Sequence, residues 1–259
     1  MIILKNPEQL KKMRSAGHLL YDVLQEVRSR ITAGMTTMDL NRITDELIRK
    51  GGAIPTELGY CGYPASICAS IDDEVVHGIP SENVVLKEGQ IISVDVTLAL
   101  DGWQADSCFT APVGQISEEK KSLILKTEEC FWKGAAMALN GNRIGDISSA
   151  VQTHAEKNGL GVVRDLTGHG IGKEMHEDPS VPNFGLAAHG TRLRAGMTIC
   201  IEPMITMGNW RVHQLADGWT VVTNDHSPAA HYEHTCAIRP DGVPELLTYP
   251  NAIWGAHTL

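Results

Sequence analysis

No stretch of the 259-residue chain approaches the roughly 20 consecutive apolar residues of a membrane span, and only Ile2, Ile3 and Leu4 precede the first lysine, too few for a signal-peptide core. A soluble, cytoplasmic protein without a membrane partner is the expectation. Six cysteines (Cys61, Cys68, Cys108, Cys130, Cys200 and Cys236) include no C-x-x-C pair, in a chain long enough not to need covalent staples. They read as reduced thiols. Basic residues are scarce: 22 Lys and Arg stand against 31 Asp and Glu, a formal net charge of -9, and no basic run is long enough to track a phosphate backbone. A specific nucleic-acid partner is therefore not expected. With 42% hydrophobic and 20% charged residues, disordered, collagen-like and coiled-coil compositions are also excluded, which leaves a globular fold with a sizeable core.

What the chain does contain is the same plan twice. Asn6 and Pro7 are a cap and first-turn signal, and Leu10, Met13, Leu20, Leu24, Val27 and Ile31 recur at helical spacing, predicting a helix from about Pro7 to Arg30. A second helix starts at Thr36 or Thr37 and stops at Gly51-Gly52. In the second half Ser117 caps a helix with Glu118 and Glu119 in its first turn, and Asp146 caps another that ends at Gly159. Residues 86–95 (LKEGQIISVD) resemble residues 193–202 (LRAGMTICIE), a shift of 107 residues that also carries Gly34 to Gly141, Asp39 to Asp146 and Gly52 to Gly159. Duplication explains a constant shift better than chance identity of small residues. Two related α+β halves would then end the same strand on a carboxylate, Asp95 in one and Glu202 in the other, facing a shared cleft.

Residues Ile91 to Leu100 read as a strand with Asp95 in its middle, and Asp101-Gly102 is a strong hairpin signal. A two-residue turn there pairs Leu100 with Trp103 and Thr97 with Asp106, which makes Asp95 and Asp106 diagonal neighbours on one face. Glu202 lies in the strand-like run from Met197 to Thr206, and Glu233 just before the apolar residues Cys236 to Ile238. If all four meet, each close pair repels by about 4 kcal/mol at an effective dielectric near 20, a penalty that divalent cations would remove. Alone, each acid is better read as a hairpin-edge or salt-bridge residue. His169, between glycines that permit backbone turns, could add one nitrogen to an oxygen-rich site suited to Mn, Fe, Co or Zn. His77 and His176 taken singly, and His18, His154, His189, His213, His226 and His257, read as structural histidines.

The motifs VHGIP at His77, VDVT at Asp95, GHGIG at His169, MHEDP at His176, IEP at Glu202, DGWTV at Trp219 and YEHT at Glu233, together with Asp106, resemble methionine aminopeptidases of the bacterial, type I kind over nearly the whole chain. That resemblance implies the pita-bread fold, an α+β architecture of two pseudo-symmetric halves (about 1–112 and 113–259) around a central metal site, in one catalytic domain spanning 1–259. It implies two divalent metal ions, Asp106 and Glu233 bridging, Asp95 holding one, His169 and Glu202 the other. His77 and His176 would contact the substrate at the scissile bond, and Tyr60, Tyr63, Cys68, Met175 and Trp219 would line the pocket for the methionine side chain. Three positions depart from the family: Met175 stands for an aromatic residue, Glu57 for a small residue near the pocket rim, and His231 for a glutamine.

The implied activity removes the N-terminal methionine of nascent proteins and peptides, preferring a small second residue. Water activated between two metals attacks the first peptide bond, with Glu202 as proton shuttle. A cytoplasmic monomer that meets nascent N-termini and contacts the ribosome transiently is the corresponding expectation. A prolidase or aminopeptidase P would carry a further N-terminal domain, and a type II enzyme a helical insertion between the last two ligands. A catalytically dead binding module of this fold would have lost ligands, and this chain keeps all five.

Overall fold

The computed structural model of the protein describes residues 1–250, so His257 lies outside the described residues. Helix α1 spans Pro7–Arg30, capped reciprocally by Asn6 and Gln9, and α2 spans Thr37–Lys50 with Thr36 and Asp39 in the same relation. Helix α3 (Glu118–Ala135) starts from Ser117 as expected. Helix α4 (Ile144–Lys157) corrects one expectation. Its cap position is Arg143, and Asp146 stands three residues further on, where its carboxylate accepts from the Arg143 N–H. That is the role Asp39 plays in α2, so a shift of 107 carries position onto position.

The correspondence extends into the backbone. Gly34 N–H donates to the Leu86 carbonyl at 2.9 Å and Gly141 N–H to that of Leu193 at 3.0 Å, while the bridge between Thr36 and Val85 is matched by one between Arg143 and Arg192. Both helices α2 and α4 are followed by a left-handed glycine, Gly52 at φ 79° and Gly159 at φ 73°, a conformation that costs glycine little.

A nine-stranded sheet joins the halves. Its strands Ile91–Leu100 and Trp103–Pro112 form the predicted hairpin, with Leu100 opposite Trp103 and Thr97 opposite Asp106. Next come Glu233–Ala237, then Thr198–Ile201, then Gly168–Gly170, all antiparallel. Alternation assigns the two faces. Ile92, Val94, Val96 and Leu98 pack with Leu20, Leu24, Leu40 and Ile48 of α1 and α2, and Ile199 and Ile201 pack with Phe131, Ile144 and Ile147 of α3 and α4. Each such side chain contributes about 1.5–3 kcal/mol on burial. Helices α1 to α4 therefore cover one face, and Asp95, at an odd-numbered position of the strand Ile91–Leu100, looks the other way.

The run from Met197 to Thr206 is not one strand. It forms Thr198–Ile201 in the large sheet and Met204–Thr206 in a separate three-stranded sheet, with Glu202-Pro203 at the break. Pro203 has no N–H to give to a ladder, whereas Val96, its counterpart at the shift of 107, continues its strand.

Candidate metal centre

Five consecutive strands of the large sheet each deliver one of the five expected ligands: Asp95, Asp106, Glu233, Glu202 directly after its strand, and His169. Cys108 lies opposite both Asp95 and Glu233, so these three side chains share a face with Asp106, two residues from Cys108. His169 Nε2 stands 3.6 Å from Asp106 Oδ2 and 3.7 Å from Glu202 Oε1. Its other nitrogen, Nδ1, lies 2.9 Å from the Gly170 carbonyl, a contact that puts the proton on Nδ1 and leaves the Nε2 lone pair free. The glycines beside His169 act differently from the expected turns. A Cβ at Gly168 would lie 2.4 Å from the Cys200 carbonyl oxygen and one at Gly170 2.2 Å from that of Asp178, so close strand packing excludes side chains there.

Burial and mutual repulsion dominate the electrostatics of these side chains. Burial, then the charge of Asp106, pushes Asp95 and Glu202 well above the carboxylate range, and the same causes raise Glu233. Asp106 is raised to about 7 by burial, against hydrogen bonds from Thr97 and the Ser107 N–H. Burial and then His176 lower His169 to about 4. Asp95 Oδ1, Asp106 Oδ1 and Glu233 Oε1 are buried without a hydrogen-bond partner. Three orphaned carboxylate oxygens beside a free imidazole nitrogen form a donor set that fits divalent cations, since each orphan otherwise costs about 1–3 kcal/mol.

These groups open onto a cavity of about 420 Å³ that every expected site residue lines, together with Glu57 and His231. Tyr63, Cys68 and Met175 are buried in its wall. Trp219 stands edge-on to Tyr63 and His77, at 5.0 and 6.2 Å between centroids. Tyr60 places its hydroxyl 2.8 Å from His176 Nδ1. His77 follows the strand Glu74–Val76 in a left-handed conformation, φ 60°, which aims its ring where an extended backbone would not. Burial, then His176, lowers His77 to about 4, and burial lowers His176. The segment holding Met175 and His176 is tied down by Glu177, which pairs with the buried Lys5 at 2.5 Å and accepts from the Lys173 N–H at 3.0 Å.

Glu57 is interior rather than on the rim: it is 7% exposed and accepts from the Cys68 thiol at 2.9 Å. Thr97, Leu166, Thr167 and Met204 also line the cavity and were not anticipated; of these only Thr97, two residues from Asp95 in a strand, carried a signal. Histidines 154, 213 and 226 pair elsewhere, with Glu129, Asn224 and Asp73. All six cysteines are free thiols. No helix among the described residues is long and apolar enough to cross a membrane.

A model of metallopeptidase family M24 matches residues 11–240. The chain is 50% identical over 248 residues to a methionine aminopeptidase of Clostridium acetobutylicum, covering 96% of this chain and 99% of that protein. A solved methionine aminopeptidase from Thermotoga maritima superposes with a TM-score of 0.94 at 43% identity, over 96% of this chain and 99% of the other. The prolidase of Pyrococcus furiosus superposes at 0.76 with 18% identity, over 96% of this chain but 66% of its own, a likeness of the pita-bread fold alone.

Proposed function

Because the chain belongs to metallopeptidase family M24, among its methionine aminopeptidases, we propose that it excises the N-terminal methionine of nascent polypeptides at a two-cation centre. The observation that carries the reading is the convergence of three unpartnered buried carboxylate oxygens on one cavity. Asp95, Asp106, His169, Glu202 and Glu233 would hold the cations, with Asp106 and Glu233 contributing to both, Asp95 to one, and His169 with Glu202 to the other. Bound there, divalent cations (Co, Mn, Fe or Zn) would lower the pKa of water and polarise the first peptide carbonyl.

The chain's own groups do the rest. Tyr60, Tyr63, Cys68, Met175 and Trp219 enclose the methionine side chain, which fixes the first peptide bond beside the carboxylates. Glu202 takes a proton from the attacking water and returns it to the leaving nitrogen as the carbon–nitrogen bond breaks. Burial depresses the pKa of both His77 and His176, which favours their neutral forms. In the tautomer whose Nδ1 accepts from the Tyr60 hydroxyl, His176 carries its proton on Nε2 and can donate to the reacting amide, an interaction that strengthens as charge develops. A small second residue, a cytoplasmic setting, a monomeric state and transient ribosome contact complete the proposal.

The test combines chelation with Asp106→Ala. Chelated wild type should lose release of methionine from Met-Ala peptides and regain it with one of these cations, as expected of ligands on a folded scaffold. Folded Asp106→Ala should stay inactive with every cation. Substantial turnover in that variant would refute the bridging role.

A further inference from the structure

His231 is the least explained polar group near the centre. It ends the strand Ala229–His231, where its N–H donates to Thr110 Oγ1 at 2.9 Å and its carbonyl accepts from the same hydroxyl at 2.8 Å. The backbone is therefore pinned. The imidazole is 2% exposed and faces the cavity, and its Nε2 is buried without any hydrogen-bond partner. Glu233 Oε2 lies 3.7 Å from Nε2. That is too long for a hydrogen bond. It matches the 3.6 and 3.7 Å that separate His169 Nε2 from Asp106 and Glu202. Two donors each about 2.1 Å from one cation, and roughly 90–120° apart around it, stand about 3.0–3.7 Å from one another.

Resting on the two-cation reading above, we infer that His231 is a sixth protein ligand, giving Nε2 to a cation that it shares with Glu233. The centre then holds one imidazole on each side of its carboxylates, His169 and His231. A buried nitrogen without a hydrogen-bond partner would thereby gain a partner. The consequence is chemical. The glutamine usual at this position in the family has an amide, a weaker donor than imidazole toward Zn, Fe, Co or Ni. This chain should therefore hold its second cation more firmly than a glutamine-bearing relative.

The test uses full-length metal-free protein titrated with Co(II), read by calorimetry for number and affinity and by proton NMR for hyperfine-shifted imidazole resonances. Wild type should bind two cations and show two sets of shifted imidazole resonances. His231→Gln should lose one set and bind one of the two cations at least about tenfold more weakly, with an unchanged circular dichroism spectrum. Two bound cations with a single imidazole set in wild type would overturn the inference without needing the variant, as would an unchanged titration of His231→Gln. Those outcomes leave the two-cation reading standing. A wild-type chain that takes up fewer than two cations removes that reading and the inference with it.

Discussion

At the scale of single residues, the proposed function separates groups that would hold cations from groups that would meet substrate. The proposal puts His176 in the second kind, with its Nδ1 engaged by Tyr60 and its ring 4.2 Å from that of His169 between centroids. His176→Ala should lower kcat by about 10²-fold or more while both cations remain bound, the pattern of a group that stabilises developing charge. Steady-state kinetics beside metal analysis of the same preparation decides it, and loss of a cation would make His176 a ligand instead. Met175 shapes the neighbouring wall with a flexible thioether where the family has a ring. Met175→Phe should raise the ratio of kcat/KM for Met-Ala over Leu-Ala, and because one branch in an apolar pocket is worth about 1–3 kcal/mol the change should be easily measured. An unchanged ratio would remove Met175 from specificity.

At the scale of elements, two ion-paired acids, Glu177 and Glu245, tie separate parts of the chain together. Lys5 and Glu177 are 2% and 7% exposed at their side chains, and Glu177 also organises the turn that presents Met175 and His176. Glu177→Gln keeps the volume but leaves a buried ammonium unpaired, so unfolding in urea should show a loss of about 3–5 kcal/mol, with kcat falling as well. Retention of both values would show that the turn stands without the pair. The other pair joins α1 to the strand Glu245–Leu246. Burial opposes ionisation of Glu245, but hydrogen bonds from Arg14 and Arg239 outweigh it and lower its pKa. A depressed folded-state pKa means stability that is present above the ordinary carboxylate range and lost as pH falls through the folded value. The partners are partly exposed, so the gap between wild type and Glu245→Gln should be at most about 1 kcal/mol at pH 7 and should close toward pH 3. A gap independent of pH would exclude this origin. Elements of this kind were legible in the sequence where the signal is local. Asn6-Pro7 and Ser117 mark helix starts, and Asp101-Gly102 sets the register that brings Asp95 to Asp106. The break after Ile201 had a local signal in Pro203, which cannot donate to a ladder, but the equally apolar residues on either side of it read as one run, and the change of sheet partner had no signature.

At the scale of the whole molecule, the duplication was legible because it leaves the same letters at a constant shift, whereas the assembly of the site was legible only in part. The register that sets Glu233 opposite Cys108 joins residues from the two halves and has no local signature. The burial of Glu57 is likewise set by a neighbouring strand, through Cys68. What the two halves enclose between them is four carboxylates whose charge the protein alone does not balance. Cations that bind the folded chain and not the unfolded one must therefore stabilise the fold as a whole, by about 2.7 kcal/mol at a free concentration one hundred times Kd. For a chain of this length each kcal/mol is worth about 2–4 °C in Tm. Calorimetric scans of metal-free protein at increasing Mn(II) or Co(II) should show Tm climbing with the logarithm of concentration, by about 5–10 °C at that excess. Asp106→Ala, which removes one of the two carboxylates proposed to contact both cations, should show a much flatter response. A wild-type Tm indifferent to every divalent cation would mean that the carboxylates meet for some purpose other than holding metal.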